Sequence, residues 1–370
     1  MDFATPWKRI RENEMVSMLT NVLIDCERMR HPHTGLYHYC LQLGNSILRQ
    51  AKHEREKIAF YLPSSAEHAF GNRANYVSQH FIHKLFFPDT KSVDIWHCTY
   101  QGSRYYPFGK KVSIILTVHD LNFLYDHKRS EKRIKKHLDR LQLKIDRADH
   151  IVAISFFVLE DLKKHLSLDG KPTSVIYNGC NVDDRVAIEL PEQPVDRPFL
   201  FTIGTIVGKK NFHVLPPLLK DNDYKLVIAG IESSQEYKKL IIKEAQKWNV
   251  LDRIIFTGPI SENDKKWYLS NCTAFVFPSI AEGFGLPVIE AMYYGKPVIL
   301  SRCTSLPEIG GDCAYYFDNF DPAHMQEVLV KSLDHYNKTK PREKIKARAK
   351  FFSWERAAME YLNLYRSLAK

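Results

Sequence analysis

Two glutamates eight positions apart, Glu282 and Glu290, stand in PSIAEGFGLPVIEAMYYGKPVIL, a stretch otherwise largely apolar and punctuated by glycine and proline. A carboxylate in such surroundings needs partners, because an uncompensated buried charge is costly. The pattern predicts a strand, TAFVFPS, then a tight loop at Glu282-Gly283-Phe284-Gly285, then a short helix. Pro287 suits the first helical turn and Gly295 the exit. Glu282 therefore belongs to a loop and Glu290 to a helix body, and the two do not read as one acid–base dyad. Each can instead accept hydrogen bonds from a pair of vicinal hydroxyls, as a carboxylate holding a polyol does. The plainer alternative makes Glu282 a helix-start carboxylate and sets Glu290 on a solvated face, which the apolar neighbours of Glu290 oppose.

A second candidate is GTIVGKKN, Gly204 to Asn211. Placed after a strand and before an expected helix, its glycines, free helix N–H groups, Lys209 and Lys210 would converge into a diphosphate site. Three residues separate its glycines, and Lys210 stands where a Walker loop carries Ser or Thr, so it is no magnesium-nucleotide loop. No GxGxxG occurs, which argues against nicotinamide or flavin; a lysine-rich turn is the alternative. His119, ending ILTVH, is placed to hydrogen-bond a substrate oxygen or move a proton, unless it is a satisfied core histidine. His31 and His33 lack the carboxylates of a metal site, and no metal site is expected. Gly35, before a helix, would let a phosphate or sugar approach closely. Asp221 to Asp223 reads as a turn.

The elements that must position these residues are short β-rich runs alternating with longer helical patterns, which implies parallel α/β architecture. MLTNVLID, SVDIWHCT, KVSIILTVHD, HIVAIS and TSVIYNG read as a first series of strands. TGLYHYCLQLGNSILRQ, a basic segment and FFVLEDLKKHL, opened by Ser155, are the helices among them. DDRVAIELPEQPVDRP, residues 183–198, reads as a link. PFLFTIGTI, YKLVIAG, RIIFTGPI, TAFVFPS, KPVILS and CAYYFD form a second series, in which KKNFHVLPPLL begins a helix. Ser353 caps a last helix, WERAAMEYLNLYRSL. Two such series imply two Rossmann-like domains facing a cleft, with ligands beyond the carboxyl ends of strands. That rule selects His119, Asp120, Ser155, Asn178, Gly204, Gly230, Gly258 and the residues after Ser279.

A length of 370 residues favours two domains, and 44% hydrophobic with 26% charged residues is a globular composition. No apolar run reaches the roughly 18 to 20 residues of a membrane-spanning helix. The start, MDFATPWKRIRENEMV, lacks a secretory core, so export is not expected. Seven cysteines without a CxxC pair read as reduced thiols in the cytosol. The net charge of +10 favours anionic partners. From Lys128 to Arg147 nine Lys or Arg face three acids, while Ile134, Leu138, Leu141 and Ile145 recur at helical spacing. This is a helix docked on a sheet with a solvated face, or one whose basic face rests on anionic lipid. Aromatics are not interleaved with its cations, so nucleic acid is not an expected partner.

PSIAEGFGLPVIEAMYYGKPVILS followed by SLPEIGGDCAYYFD resembles the retaining, nucleotide-sugar-dependent glycosyltransferases of family 4 (group 1 type), which include bacterial mannosyl- and glucosyltransferases of polysaccharide and lipopolysaccharide assembly. The resemblance extends over TGLY, VHDL, VAISFFVLEDL, VIYNG, GTIVGKKN and SWERAAMEYLNLY, most of the chain. It implies the two-domain α/β fold called GT-B. Residues 1–190 would bind acceptor, 191–350 nucleotide sugar, and the helix in 351–370 would cross back to the first domain.

The resemblance also implies roles. Glu282 would lie near the donor sugar hydroxyls and Glu290 would bind the nucleotide ribose. Lys210, with Lys209, would neutralise the diphosphate, and Gly35 would lie in a loop approaching the donor phosphate. His119 would contact the transferring sugar, and the backbone from Gly283, Phe284 and Gly285 to Leu286 and Pro287 would meet the phosphates or sugar. His119, Glu282 and Lys210 are the catalytic candidates. Thr205 follows Gly204 where many members carry arginine, and this Gly-Thr start with a basic pair and Asn is shared by many mannosyltransferases.

The implied reaction transfers a hexosyl group to a glycan or lipid-linked glycan hydroxyl without a required cofactor, GDP-mannose being favoured over UDP-sugars such as UDP-glucose. The expected location is the cytoplasm, or the cytoplasmic face of the inner membrane if the basic helix rests on lipid. Competing readings are an epimerase or phosphorylase, the latter lacking an evident pyridoxal lysine, and a non-catalytic basic nucleotide- or nucleic-acid-binding protein or subunit.

Overall fold

The computed structural model describes residues 19–32, 34–72, 74–125, 129–182, 187–196 and 198–369. His33, Lys128, Arg197, residues 183–186 of the expected link and the amino-terminal stretch through Met18 lie outside the described residues.

The strands β1 (Thr20–Asp25), β2 (Glu56–Leu62), β3 (Asn75–Ser78), β4 (Ile95–Cys98), β5 (Ser113–Val118), β6 (His150–Ala153) and β7 (Thr173–Val175) form one sheet in the order β3-β2-β1-β4-β5-β6-β7. A second sheet, β10-β9-β8-β11-β12-β13, comprises β8 (Phe199–Ile203), β9 (Lys225–Ala229), β10 (Ile254–Gly258), β11 (Ala274–Phe277), β12 (Val298–Ser301) and β13 (Tyr315–Phe317). Every pairing is parallel. Helical crossovers therefore cover the sheet faces, and β11 and β12 are buried at every position. The result is two Rossmann-like domains across a cleft.

Three local expectations change. β2 and β3 add to the expected strands: NYVS is short and polar, and its pairing with β2 (Ala59 beside Asn75) makes it a strand. Of TSVIYNG only Thr173, Ser174 and Val175 pair in the sheet, with β6. KKNFHVLPPLL is not an α-helix but three 3-10 turns, Gly208–Lys210, Phe212–Val214 and Pro216–Leu219. Asn211 at φ 57° breaks any continuous helix, and Pro216-Pro217 lack two N–H donors.

The helices that frame the site are α1 (Gly35–Gln50), α2 (Glu131–Arg147), α3 (Phe156–His165), α4 (Gln235–Lys247), α5 (Glu262–Asn271), α6 (Leu286–Tyr293), α7 (Leu306–Gly310), α8 (Pro322–Thr339), α9 (Arg342–Phe351) and α10 (Trp354–Leu368). In the basic helix α2, Leu141 and Ile145 are buried, whereas Leu143 stays exposed. Capped by Ser353, α10 packs against α1, its Tyr361, Leu362 and Tyr365 sharing a core with Leu43, Ile47 and Ile115. A buried polar chain runs through that contact. Tyr361 Oη pairs with Tyr39 Oη (2.9 Å) and Thr117 Oγ1 (2.8 Å), and His97 joins Thr117 (2.9 Å) to Tyr365 (2.7 Å).

Across the cleft, Ser155 Oγ donates to the Gly283 carbonyl at 2.8 Å. The Glu308 carboxylate on α7 accepts from the Phe156 and Phe157 amides (2.8 and 2.9 Å), so one domain caps a helix of the other.

Candidate functional site

After β11 the chain passes Ser279 and turns at Glu282 into α6. Gly285, the residue before the helix, has φ 106°, a conformation that favours glycine. Gly283 is required for a different reason: a Cβ there would lie 1.8 Å from the His119 carbonyl oxygen. The loop of the second domain thus touches the end of β5 in the first.

Lys210 Nζ meets Glu282 Oε1 at 2.5 Å, with Lys210 and Glu282 only 12% and 13% exposed. Ser279 Oγ donates to the same oxygen at 2.6 Å, and the Glu282 amide donates to Thr304 Oγ1 at 3.0 Å. Thr304 itself sits at φ 53°, a strained conformation for threonine. Glu290 is 3% exposed, which removes the solvated-face alternative. Its Oε1 accepts from Lys265 Nζ (3.1 Å) and Asn181 Nδ2 (3.1 Å), and Asn181 in turn accepts from the Trp354 indole at 2.9 Å. Burial alone would lower the Lys265 pKa, but Glu290 and Glu262 overcome it and hold the ammonium above its ordinary range. Among the described residues no protein donor reaches Oε2 of either glutamate. Each carboxylate therefore keeps acceptor capacity for a hydroxylated ligand.

His119 is buried, and its Nε2 lies 2.7 Å from the Thr99 carbonyl, an oxygen that can only accept. The proton therefore sits on Nε2 and Nδ1 remains an acceptor. Burial pushes its pKa down to about 4 against the opposing Thr99 hydrogen bond, so the ring is neutral near pH 7. The Tyr39 ring stands edge-on 4.5 Å away.

The remaining expected residues divide. Gly204, at φ 154°, lies under the Lys210 stem, and Thr205 is exposed. A Cβ at Gly230 would meet the Gly204 carbonyl at 2.1 Å. The free helix amides expected at Lys209 and Lys210 are replaced by a 3-10 turn, in which the Lys210 amide donates to Val207. Lys209 is exposed and lines the cleft, while its carbonyl accepts from Ile280 N (2.9 Å) and Ser279 Oγ (3.1 Å). Gly35 opens α1, and a Cβ there would meet nothing within 4 Å. One turn on, His38 approaches Glu262 (3.9 Å), the partner of Lys265. Leu286 and Pro287 form the half-buried first turn of α6. The Phe284 side chain instead joins the core, 5.5 Å from the Phe352 ring.

Lys265, Asn181, Ser279 and Thr304 were not legible as site residues. Nor was Arg28, whose guanidinium lies 5.1 Å from the Tyr100 ring centroid and whose buried Nε has no partner. Among the described residues no group of three or more potential metal ligands comes together. Beside this constellation opens a cleft of about 1410 Å3, lined from the first domain by Tyr100, Asp120 and Phe123 and from the second by Gly208, Lys209 and Tyr237.

Comparison with known proteins gives a consistent picture. Residues 187–351 match the family described as Glycosyl transferases group 1, and residues 33–184 match Glycosyltransferase Family 4. The chain is 28% identical over 217 residues to the O-antigen chain mannosyltransferase RfbU of Salmonella typhimurium, covering 58% of this chain and 59% of that protein. It is 24% identical over 296 residues to O-antigen chain mannosyltransferase B of Escherichia coli, covering 73% and 74%. The solved sucrose-phosphate synthase of Thermosynechococcus elongatus superposes with a TM-score of 0.75 at 18% identity, over 94% of this chain and 99% of that one.

Proposed function

We propose that this chain, whose two halves each match a glycosyltransferase family, is a glycosyltransferase that moves a mannosyl group from GDP-mannose to a hydroxyl of a glycan or lipid-linked glycan, with retention at the anomeric carbon. One observation carries the reading. A buried carboxylate, Glu290, and a largely covered one, Glu282, flank a glycine-gated helix start, each with an oxygen left for ligand hydroxyls, beside a lysine and opposite a neutral histidine.

In this reading Glu290 receives the ribose hydroxyls and Glu282 those of the sugar. His119 Nδ1 accepts from one more sugar hydroxyl, a role that its neutral state permits. As the anomeric C–O bond breaks, negative charge grows on the diphosphate. Lys210 answers it, with Lys209 and the amides at the start of α6. Glu282 is ion-paired to Lys210 and is a poor nucleophile, so the acceptor oxygen attacks from the face the diphosphate leaves. The acceptor's proton passes to a donor phosphate oxygen.

The two O-antigen mannosyltransferases and the Gly204-Thr205 start support GDP-mannose, and the same relatives support a role in cell-surface polysaccharide assembly. The proposed location is cytoplasmic, which free cysteines throughout the described residues suit. A thermal-shift screen against GDP, UDP, ADP and their sugars tests the donor. Selective stabilisation by GDP and GDP-mannose is the expected result. Stabilisation by UDP-glucose alone would replace the donor, and no shift with any nucleotide would remove the site.

A further inference from the structure

Between β3 and β4 the chain makes a 3-10 turn, Phe81–Lys84, that leaves Phe81 and Leu85 each 81% exposed, Phe86 73% and Ile82 47%. Four large apolar side chains in six residues form a cluster that water does not favour and that marks an interaction surface. The turn is held from below. Tyr61 Oη pairs with His83 Nδ1 at 2.8 Å, the Phe86 amide donates to the Ile82 carbonyl at 2.8 Å, and Phe87 points the other way, 4.9 Å from the Trp96 ring. The exposed side chains are therefore presented on a supported frame.

The setting is basic. From Gln79 to Pro88 there is no Asp or Glu, and Lys84 lies 5.7 Å from the Tyr105 ring centroid. Tyr106, next in the chain, donates through Oη to the Lys144 carbonyl of α2 at 2.8 Å, and its ring lies 4.8 Å from exposed Phe108. A path of contacts thus joins the turn to the α2 surface that carries exposed Leu143 and Arg140, where the Lys144 ammonium donates to the Gln101 and Ser103 carbonyls at 2.7 and 2.6 Å. The acids along this path are Asp89, Asp94, Glu27, which accepts from the Arg104 amide at 2.9 Å, and Asp149, which pairs with Arg147 at 3.3 Å; Lys84, Arg104, Lys110, Lys111 and Arg140 exceed these four.

We propose that the Phe81–Phe86 turn is a membrane-docking element. Its phenylalanines and leucine enter the headgroup boundary of an anionic bilayer, while Lys84 and the exposed Arg104, Lys111 and Arg140 meet lipid phosphates. Protruding apolar side chains ringed by positive charge match such a surface in both solubility and sign. Phe108 and Leu143 also line the large cleft, so docking would set the mouth of that cleft at the bilayer. Only this last consequence, delivery of a lipid-linked acceptor, rests on the transferase reading.

The test is co-sedimentation of the full chain with vesicles of equal parts phosphatidylethanolamine and phosphatidylglycerol, against phosphatidylcholine alone. The wild type is expected to sediment with the anionic vesicles. F81S/L85S/F86S, which keeps every charge, should partition roughly tenfold less. A triple variant that binds as well as wild type, or a wild type left in the supernatant, overturns the proposal. So does a wild-type dimer that the triple variant dissolves without any vesicle binding, because the patch would then meet protein. Phe86→Trp gives a second reading in the intact fold: brominated lipid should quench it beyond the wild-type level, and no added quenching overturns insertion. The nucleotide-dependent melting shift, measured in parallel, reports separately on the transferase reading.

Discussion

Lys210 and Glu282 neutralise one another in a site nearly closed to water, so each depends on the other for its place. Lys210→Ala should lower turnover by about a hundredfold or more, the usual effect of removing a charge stabiliser from a transition state. It should also destabilise the fold by leaving Glu282 unpaired. Adding Glu282→Gln should recover the melting temperature but not the turnover. Wild-type turnover in Lys210→Ala would remove the lysine from the chemistry. Glu290 is argued to bind rather than react. Glu290→Ala should therefore raise the donor KM about tenfold to a hundredfold, the worth of a hydrogen bond to a charged group, with kcat far less affected. An unaltered KM would count against ribose binding.

At the scale of elements, the site is a contact between a loop and a strand end. Gly283→Ala would put a Cβ where the His119 carbonyl stands, so the start of α6 and the end of β5 must separate. A displacement on the order of 1 Å costs about a hundredfold in rate. Steady-state kinetics should show that loss with secondary structure unchanged; near-normal rates would mean that the contact is not needed. The seam between α10 and α1 makes a different prediction. Tyr361→Phe removes the hydroxyl shared by Tyr39 and Thr117, both deep in the core. Urea unfolding should show a loss of about 1 to 3 kcal/mol, the cost of leaving such groups unsatisfied. An unchanged midpoint would show that the seam reorganises freely. The loop and helix around the glutamates are legible locally, because proline and glycine mark their ends. The turns of KKNFHVLPPLL are not, since their apolar spacing imitates a helix that the two prolines forbid.

For the molecule as a whole, pH sets buried groups against one another. Burial depresses His119 to about 4 and His97 to about 3, from an ordinary 6.5. The unfolded chain binds those protons first, so stability is full above about pH 6.5 and is lost as pH falls toward those values. Asp25 has the opposite sign. Burial raises its carboxyl from 3.8 to about 7 against the Ser103 hydrogen bond, so its contribution is full below 3.8 and disappears as pH rises through 7. Asp25→Asn carries no such proton. Between about pH 4 and 7 the stability difference should move in the variant's favour by about 1.4 kcal/mol per pH unit. Denaturant midpoints across that range check it, and a difference independent of pH would contradict a protonated buried carboxyl.

Local pattern by itself determined that the chain alternates strand and helix in two series and that Glu282 and Glu290 belong to different elements. It did so because side-chain period and the backbone limits of glycine and proline are properties of neighbouring residues. Tertiary structure decided which groups meet these carboxylates. Lys210 comes from 72 positions before Glu282, and Asn181 from 109 positions before Glu290. It also decided that Gly283 must lack a side chain, that His119 is a neutral acceptor, and that Phe81, Leu85 and Phe86 face outward while Phe87 goes in. Such facts depend on sheet order and on how two domains close. Energy there is set by burial and partner distance, which no short window of sequence contains.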